Sequence, residues 1–302
     1  MKMRTLVSFA FCMLFMAVTA TSVSAQTTTN FDNFTLGTPN GQFGWTKTGP
    51  YDHYVVDNSS YPNAPTSFGT QSLRISNAMT SGSFGDHTFS VSTSNEAGES
   101  TSTNGGMSGG VRQNYYEFSV SFTSATGTYQ PGLSVVLSPD RGDGARMSWI
   151  QIADLADGLA LNFNDYQGGA FVQTNIASGL SRTTSHILRV TMQFVEGSAN
   201  DVVKVYLDGS LIHTGTSWED YFRDWEDGFS RTVDSVLFRT GGASAPATAN
   251  NGILFDDFSV NTGTIASNAG QCKKNGWMAL LDSEGKPFKN QGQCVASTVG
   301  NN

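Results

Sequence analysis

The chain has 302 residues, with 17 Lys and Arg against 25 Asp and Glu, a net charge of -8, and only 14% charged residues. This length allows one large all-β domain or two smaller domains. The acidic balance argues against a nucleic-acid-binding protein, which needs a basic stripe. Aromatic residues make up 11% of the chain, which argues against wholesale disorder.

The first 25 residues have the three parts of a secretory signal peptide. Lys2 and Arg4 form the positive start, residues 6–18 form an apolar run, and residues 23–25 (VSA) form a small-residue cleavage site. The apolar run is shorter than the roughly 20 residues that span a bilayer. We therefore expect cleavage before Gln26 and a secreted product, extracellular or periplasmic, without membrane insertion.

Strand patterns dominate between residues 31 and 260. In chain order, the runs are 115–122, 132–137, 147–152, 159–163, 186–195, 202–207, 233–239 and 253–260. Turn-forming dipeptides separate them, and Asp208-Gly209 predicts a hairpin because both residues tolerate positive φ. Short strands at regular spacing with few helical windows predict an all-β fold, a two-sheet antiparallel jelly-roll sandwich.

One acidic, aromatic stretch, residues 218–228 (WEDYFRDWEDG), interrupts the strand pattern. It predicts a long loop or a single helical turn over one end of the sandwich. Two polar stretches rich in small residues, 92–110 and 241–251, predict loops at the rim.

Two segments carry a resemblance to a known fold family. Residues 201–213 (DVVKVYLDGSLIH) resemble a hairpin of concanavalin A-like lectin/glucanase and laminin G-like domains, and residues 251–260 (NGILFDDFSV) resemble their final strand. Residues 30–34 (NFDNF) are expected to be the antiparallel neighbour of that strand. The resemblance spans about residues 30–260 and implies a concanavalin A-like jelly roll.

The C-terminal segment carries a separate resemblance. Residues 272–277 (CKKNGW) and 288–295 (FKNQGQCV) resemble a short module of secreted bacterial proteins. Cys272 and Cys294 are the cysteines left after signal cleavage, and we expect them to form a disulfide in an exported protein. The resemblance leaves open whether this appendage is a structural cap or an attachment module. The predicted division is 1–25 signal peptide, 26–260 jelly roll, 261–271 linker and 272–302 small disulfide-containing module.

The family resemblance implies a polysaccharide or glycan partner bound on a concave sheet. Sugar rings need aromatic platforms beside amide and charged donors, and strand alternation places such side chains on one face. The predicted carbohydrate-binding residues are Arg74, Trp149, Gln151, Asn162, Asn164 and Arg239, with Trp218 from the acidic stretch. The alternative is that some of them decorate the solvated convex face.

Catalysis is open at this stage. Glycoside hydrolysis uses two carboxylates, and Glu219 and Glu226 are the candidate pair, although the E-x-D-x-x-E motif of laminarinase-type glucanases is absent. Alginate lyases of this fold have a histidine where residues 151–153 (QIA) have alanine, and the matching Tyr-Phe-Lys strand is absent too. The competing interpretation of the acidic stretch is a solvated rim loop anchored by its tryptophans.

A structural calcium ion is the expected cofactor. Jelly rolls often join their terminal strands through one Ca²⁺ held by carboxylates and carbonyls, and the predicted ligands are Asp32, Asp256 and Asp257. Asp140 and Asp143, in an Asp- and Gly-rich loop, are a weaker alternative, because such a loop is more often a turn. The sequence has no His and Cys cluster with the spacing of a zinc site.

Together these observations predict a secreted carbohydrate-binding jelly-roll protein. One alternative is a glycan-cleaving enzyme, a hydrolase before a lyase, using carboxylates near residues 219–227. Another is a non-catalytic structural protein of the cell surface or matrix. The sequence names neither the sugar nor the oligomeric state.

Overall fold

The structure is a computed structural model that describes residues 26–81, 87–102, 108–225 and 230–299. The predicted signal peptide and Glu226 lie outside the described residues. The strands are β1 (Thr27–Thr29), β2 (Thr46–Lys47), β3 (His53–Asp57), β4 (Gln71–Ile75), β5 (His87–Phe89), β6 (Ala97–Gly98), β7 (Tyr115–Ser124), β8 (Ser134–Asp140), β9 (Trp149–Leu155), β10 (Gly158–Gln167), β11 (Ala170–Leu180), β12 (His186–Gln193), β13 (Val202–Leu207), β14 (Ser210–Gly215), β15 (Thr232–Val233), β16 (Ser235–Thr240) and β17 (Ile253–Gly263). The α-helices are α1 (Glu219–Asp224) and α2 (Gln291–Val299), and 3-10 turns lie at Asn58–Ser60, Thr66–Phe68, Pro246–Thr248 and Gly276–Ala279.

Two antiparallel sheets form a sandwich, which confirms the predicted fold class. Sheet A has the strand order β14-β13-β12-β7-β17-β4-β3, with β1 added beside β17. Sheet B has the order β11-β10-β9-β8-β16-β5-β2, and β15 and β6 form a separate pair. The first strand does pair with the last, as expected, but it is Thr27–Thr29 rather than residues 30–34. Phe31 takes a positive φ of 57°, so the chain turns there instead of continuing the strand.

The core lies between the two sheets because alternate side chains of each strand point inward. On β7, Phe118, Val120 and Phe122 are fully buried. From the other sheet Phe238 packs into the same core, and its ring centroid lies 5.3 Å from that of Phe255. Such aromatic and branched side chains supply most of the apolar area that folding removes from water.

Both local predictions outside the long strands have a counterpart in the structure. Asp208 and Gly209 have φ values of 50° and 82° and join β13 to β14, as a tight hairpin turn requires. Within the acidic stretch, a single short helix, α1, begins at Glu219. No helix in the described ranges is both long enough and apolar enough to cross a bilayer.

The C-terminal segment packs against sheet A. The disulfide Cys272–Cys294 is present, with the two Cα atoms 5.7 Å apart. Glu284 accepts hydrogen bonds from Lys204 Nζ at 3.0 Å and from the Tyr206 hydroxyl at 3.1 Å. Both partners lie on β13, and their side chains point away from the core because Val203 and its alternates point inward. The appendage therefore covers part of the outer face of sheet A.

Candidate functional site

The outer face of sheet B, the face turned away from the core, carries a cleft of about 830 Å³. Its floor is formed by strand residues of sheet B: His87, Phe89, Trp149, Asn164 and Arg239. One wall is the loop of residues 141–146, and the other consists of Phe171, Trp218, Tyr221 and Phe222. The cleft thus combines sheet, loop and helix α1.

Strand alternation explains why the predicted side chains reach this cleft. On β9, Ile150 and Ile152 are fully buried in the core, so Trp149 and Gln151 point to the other side. On β10, Phe163 is buried in the same way and Asn164 faces outward. Four of the predicted carbohydrate-binding residues therefore line the cleft: Trp149, Asn164, Trp218 and Arg239.

Gln151 and Asn162 lie beside the cleft in a row of amides. The Asn162 amide nitrogen donates to Gln151 Oε1 at 3.1 Å, and the Gln151 amide nitrogen donates to Ser134 Oγ at 2.6 Å. Asn175 on β11 extends the row by donating to Asn162 Oδ1 at 3.0 Å. Because each amide is fixed by its neighbours, the row is a rigid polar edge to the cleft.

Arg74 is the exception among the predicted binding residues. It lies on β4 of sheet A and is 2% exposed. Its guanidinium forms an ion pair with Asp52 and donates to the Asn251 carbonyl at 3.0 Å. Strand alternation assigns a residue to a face of its own sheet and does not say which of two sheets that is, so the prediction placed Arg74 wrongly beside Trp149.

The loop of residues 141–146 is built on a buried aspartate. Asp140, at the end of β8, accepts backbone N–H groups from Gly142, Asp143 and Gly144 through its Oδ1, at 2.6, 3.1 and 3.1 Å. Burial raises the pKa of Asp140 to about 6. Gly144 has a φ of 93°, and a Cβ there would lie 3.0 Å from His87 Cε1. The loop is thus a turn held by Asp140, close against the floor of the cleft.

The charge of the cleft contrasts with that of the chain. Its described lining residues include Arg141, Arg146 and Arg239, but Asp143 is the only carboxylate among them. Asp143 pairs with Arg141 at 2.8 Å and its side chain is 52% exposed. In a protein of net charge -8, this is a local concentration of guanidinium groups on a concave surface.

The aromatic wall is fixed by direct contacts. The Trp218 indole N–H donates to the Asn164 carbonyl at 2.9 Å, and its ring lies 6.4 Å from that of Trp149. Phe171 packs at 4.6 Å from Trp218 and 5.1 Å from Tyr221, measured between ring centroids. The Arg146 guanidinium carbon lies 5.8 Å from the Trp218 ring centroid. The Arg146 guanidinium of the loop wall therefore lies within cation–π distance of the aromatic wall.

Glu219 does not face the cleft. It is 1% exposed, and its Oε1 accepts the backbone N–H groups of Asn200 and Asp201, both at 2.9 Å. Trp218, Tyr221 and Phe222 line the cleft, whereas Glu219 leaves α1 from a different side of the helix. Its predicted partner Glu226 lies outside the described residues. The described lining residues hold no pair of carboxylates of the kind that glycoside hydrolysis needs.

The three predicted calcium ligands do not form one cluster. The only trio of described carboxylates with oxygens within 4.8 Å of one another is Glu99, Asp201 and Glu219. Asp256 is 1% exposed and its Oδ2 has no hydrogen-bond partner.

Burial, together with the charges of Asp257 and Asp32, raises the pKa of Asp256 to about 8. Asp32 accepts hydrogen bonds from Thr70 and Gln71, and against the opposing effect of burial these lower its pKa. Asp257 carries its side chain on a backbone of positive φ, 47°, and its carboxylate is 3.4 Å from Ser121 Oγ. Asp256 is thus the member of the three with a buried carboxylate oxygen that has no hydrogen-bond partner.

Comparison with known proteins gives structural likenesses only. No family model matches the chain, and no curated protein matches it. The chain is similar to alginate lyase Aly36B, with 12% identity and a TM-score of 0.49 over 79% of this chain and 96% of that one. It is similar to an endo-β-1,4-glucuronan lyase from the fungus Trichoderma reesei, with 13% identity and a TM-score of 0.41 over 80% and 96%. An alginate lyase from Pseudomonas aeruginosa matches with 9% identity and a TM-score of 0.40 over 75% and 96%.

Several residues of the cleft were not predicted from the sequence. They are His87, Arg141, Arg146, Phe171 and Tyr221. The signal for one of them, Arg141, was present in the loop sequence Asp-Arg-Gly-Asp-Gly at 140–144, which predicts a tight turn that presents its arginine. His87 carries no local signal, because its role depends on β5 pairing with β16 across a large sequence separation.

Proposed function

We propose that the protein binds an anionic polysaccharide in the cleft on sheet B. The observation that carries the proposal is the group of three arginines, Arg141, Arg146 and Arg239, in the lining of a cleft in an acidic protein. Arginine presents a planar fork of donors that matches the geometry of a carboxylate or a sulfate. A neutral sugar needs no such concentration of positive charge.

The aromatic wall supports a saccharide rather than another anion. Trp149 and Trp218 line the cleft, and aromatic rings pack well against the apolar C–H faces of sugar rings. Asn164 within the cleft, and Gln151 and Asn162 beside it, offer amide groups to hydroxyls. A volume of about 830 Å³ lies within the range of sites that hold ligands larger than a single ring.

The proposal is tested by the affinity of the mature chain for three polysaccharides of matched length. We expect a polyuronate or a sulfated galactan to bind, with affinity that falls as salt screens the charges, and a neutral glucan to bind at least tenfold more weakly. Comparing the polyuronate with the sulfated galactan shows whether the cleft prefers carboxylate or sulfate groups. Equal affinity for all three, or binding to none, would contradict the proposal.

A second candidate function is cleavage of the same polymer by elimination, and the position of His87 favours it. His87 and Arg239 are direct register partners on β5 and β16, so their side chains leave the same face of sheet B. In elimination a base removes the proton beside a uronate carboxylate, a cation stabilises the charge that forms there, and the glycosidic oxygen leaves with a proton. His87 is placed to be the base, and Arg239 is placed to be the cation.

Elimination leaves a carbon–carbon double bond in the new chain end, which absorbs ultraviolet light. We expect this absorbance to grow on polyuronate with the wild-type protein and to be lost in His87→Gln while binding remains. If the absorbance does not increase with any uronate polymer, the protein binds the polysaccharide without cleaving it.

We also propose that the protein acts outside the cytoplasm, where its disulfide is stable. A calcium ion near the terminal strands stays part of the proposal, with Asp256 and Asp32 as the residues that hold it. The unpartnered Oδ2 of Asp256 supports this assignment. The chemistry that such an ion supplies is structural, because it neutralises buried carboxylate charge.

A further inference from the structure

Three carboxylates meet in the interior behind the aromatic wall of the cleft. Glu99 follows β6, Asp201 precedes β13, and Glu219 begins α1, and each is at most 4% exposed. One carboxylate oxygen of each lies within 4.8 Å of the others. Like charges at this separation repel strongly when they are shielded from water.

Arginines compensate only part of this charge. Arg223 on α1 forms an ion pair with Glu99 and lies 3.5 Å from Glu219 Oε2. Arg231 reaches the second oxygen of Glu99 at 3.2 Å. Asp220, also on α1, adds a further carboxylate at 3.7 Å from the Arg223 guanidinium. Arg112 donates to the Glu99 backbone carbonyl, but Glu96 pairs with it at 2.7 Å. The described charged groups around the three carboxylates thus leave an excess of negative charge.

The remaining described polar contacts fit a proton better than a metal ion. Both oxygens of Asp201 are occupied, by the Val195 N–H at 2.9 Å and the Ser217 hydroxyl at 2.6 Å. Both oxygens of Glu99 are taken by arginines. Only Glu219 Oε2 lacks a hydrogen bond. A metal ion needs several free oxygens, whereas a proton on this single atom removes the negative charge of Glu219.

Helix α1 connects this cluster to the cleft. Glu219 and Arg223 are one turn apart and both hold the helix to the cluster. Trp218 and Tyr221, on the other side of the same turn, form the aromatic wall. A helix of six residues therefore links the cluster directly to the wall.

We propose that a proton shared between Glu219 and its neighbouring carboxylates positions α1, so that ionisation of the cluster loosens the aromatic wall of the cleft. Glu219 is thus a positioning residue rather than a catalytic one. The predicted loosening of the wall depends only on the contacts of the carboxylate cluster. The predicted loss of affinity also rests on the proposed polysaccharide binding.

The direction of the pH dependence follows from the buried carboxyls. Burial raises the pKa of Asp201 and of Glu219, and the Glu219 charge raises that of Asp201 further. In the unfolded chain both groups ionise near pH 4. Above that pH the folded form holds protons that the unfolded form has lost, so this contribution to stability falls as pH rises. The wall is firm at weakly acidic pH and loosens above neutrality.

Hydrogen exchange of the peptide 217–225, measured without ligand and corrected for intrinsic rates, tests the wall directly. From about pH 6 to about pH 9 we expect its protection in the wild type to fall about fivefold, the lower end of typical coupling between sites. Glu219→Gln places an amide donor where the proton sits, so the fall in its protection over this range should be much smaller than in the wild type, because only Asp201 still titrates. Asp224→Asn makes the same charge change at an exposed position of α1 and keeps the wild-type pH dependence. If Glu219→Gln does not fold, Asp201→Asn replaces it.

Affinity for polyuronate, measured at the same pH values, separates this inference from the proposed function. A fall in wild-type affinity that is much smaller in Glu219→Gln supports both. A pH-dependent wall with no binding at any pH supports the inference and removes the proposed function. Wild-type protection that does not change with pH, or an equal fall in Glu219→Gln, overturns the inference.

Discussion

The two outer faces of the sandwich carry charge in different ways. On sheet A, Arg189 pairs with Glu117 at 2.6 Å and Lys204 pairs with Glu284 of the C-terminal segment at 3.0 Å. On sheet B, the described lining of the cleft holds three arginines against one carboxylate. The charged groups of the first face are paired in part with the C-terminal segment that covers it, whereas those of the second lie around an open cleft. The comparison teaches that the position of arginines around a cavity, rather than their number, is what suggests a binding site.

The largest expected effect separates the two faces directly. Arg239→Gln keeps a polar side chain and removes one charge from the cleft, so polyuronate affinity should fall about tenfold to a hundredfold, as for the loss of a charged hydrogen bond. Lys204→Gln removes the same charge from sheet A and should leave affinity unchanged. Its ion pair with Glu284 is partly exposed to solvent, and such a pair is worth about 1 kcal/mol. Calorimetric titration of both variants checks this, and equal losses would mean that only net charge matters.

A smaller effect is expected from the loop that forms one wall of the cleft. Gly144→Ala places a Cβ against His87 in a left-handed backbone, so the loop must shift, and we expect affinity to fall severalfold. Gly168→Ala meets nothing within 4 Å and has a φ of 58°. It carries a backbone cost of about 1–2 kcal/mol without disturbing the cleft. Thermal unfolding should shift at least as much in Gly144→Ala as in Gly168→Ala, and unchanged binding in Gly144→Ala would show that the loop position is unimportant.

The smallest expected effect concerns calcium, far from the amide row and the cleft. Chelation should lower the melting temperature by about 3 °C for each kcal/mol by which bound calcium raises the free energy of unfolding, and added calcium should restore it. Asp256→Asn should abolish the response, because it removes the charge of the unpartnered oxygen. Asp143→Asn, at the weaker alternative site, should keep it. If chelation leaves the melting temperature of the wild type unchanged, the protein holds no structural calcium ion.

The sequence predicts those features that depend on neighbours along the chain. Alternation on β9 places Trp149 opposite Ile150, and the Asp208-Gly209 turn forms the expected hairpin. These hold because strand period and turn conformation are local properties. The disulfide follows from the number of cysteines in an exported chain.

The remaining features depend on contacts between distant segments. Arg74 alternates correctly within β4 but belongs to sheet A, where Asp52 pairs with it. Glu219 was placed with the aromatic residues of its segment, whereas the helix separates it from them by turning it towards Asn200. His87 reaches the cleft only because β5 pairs with β16. Sheet order and helix orientation arise from tertiary packing, which a single sequence pattern does not encode.

The most direct test of the central claim is a crystal structure of the protein with a uronate tetrasaccharide bound. The account predicts a sugar carboxylate within hydrogen-bond distance of Arg141, Arg146 or Arg239 and a sugar ring against Trp149 or Trp218. A saccharide seated on the outer face of sheet A, with the cleft on sheet B empty, would contradict it.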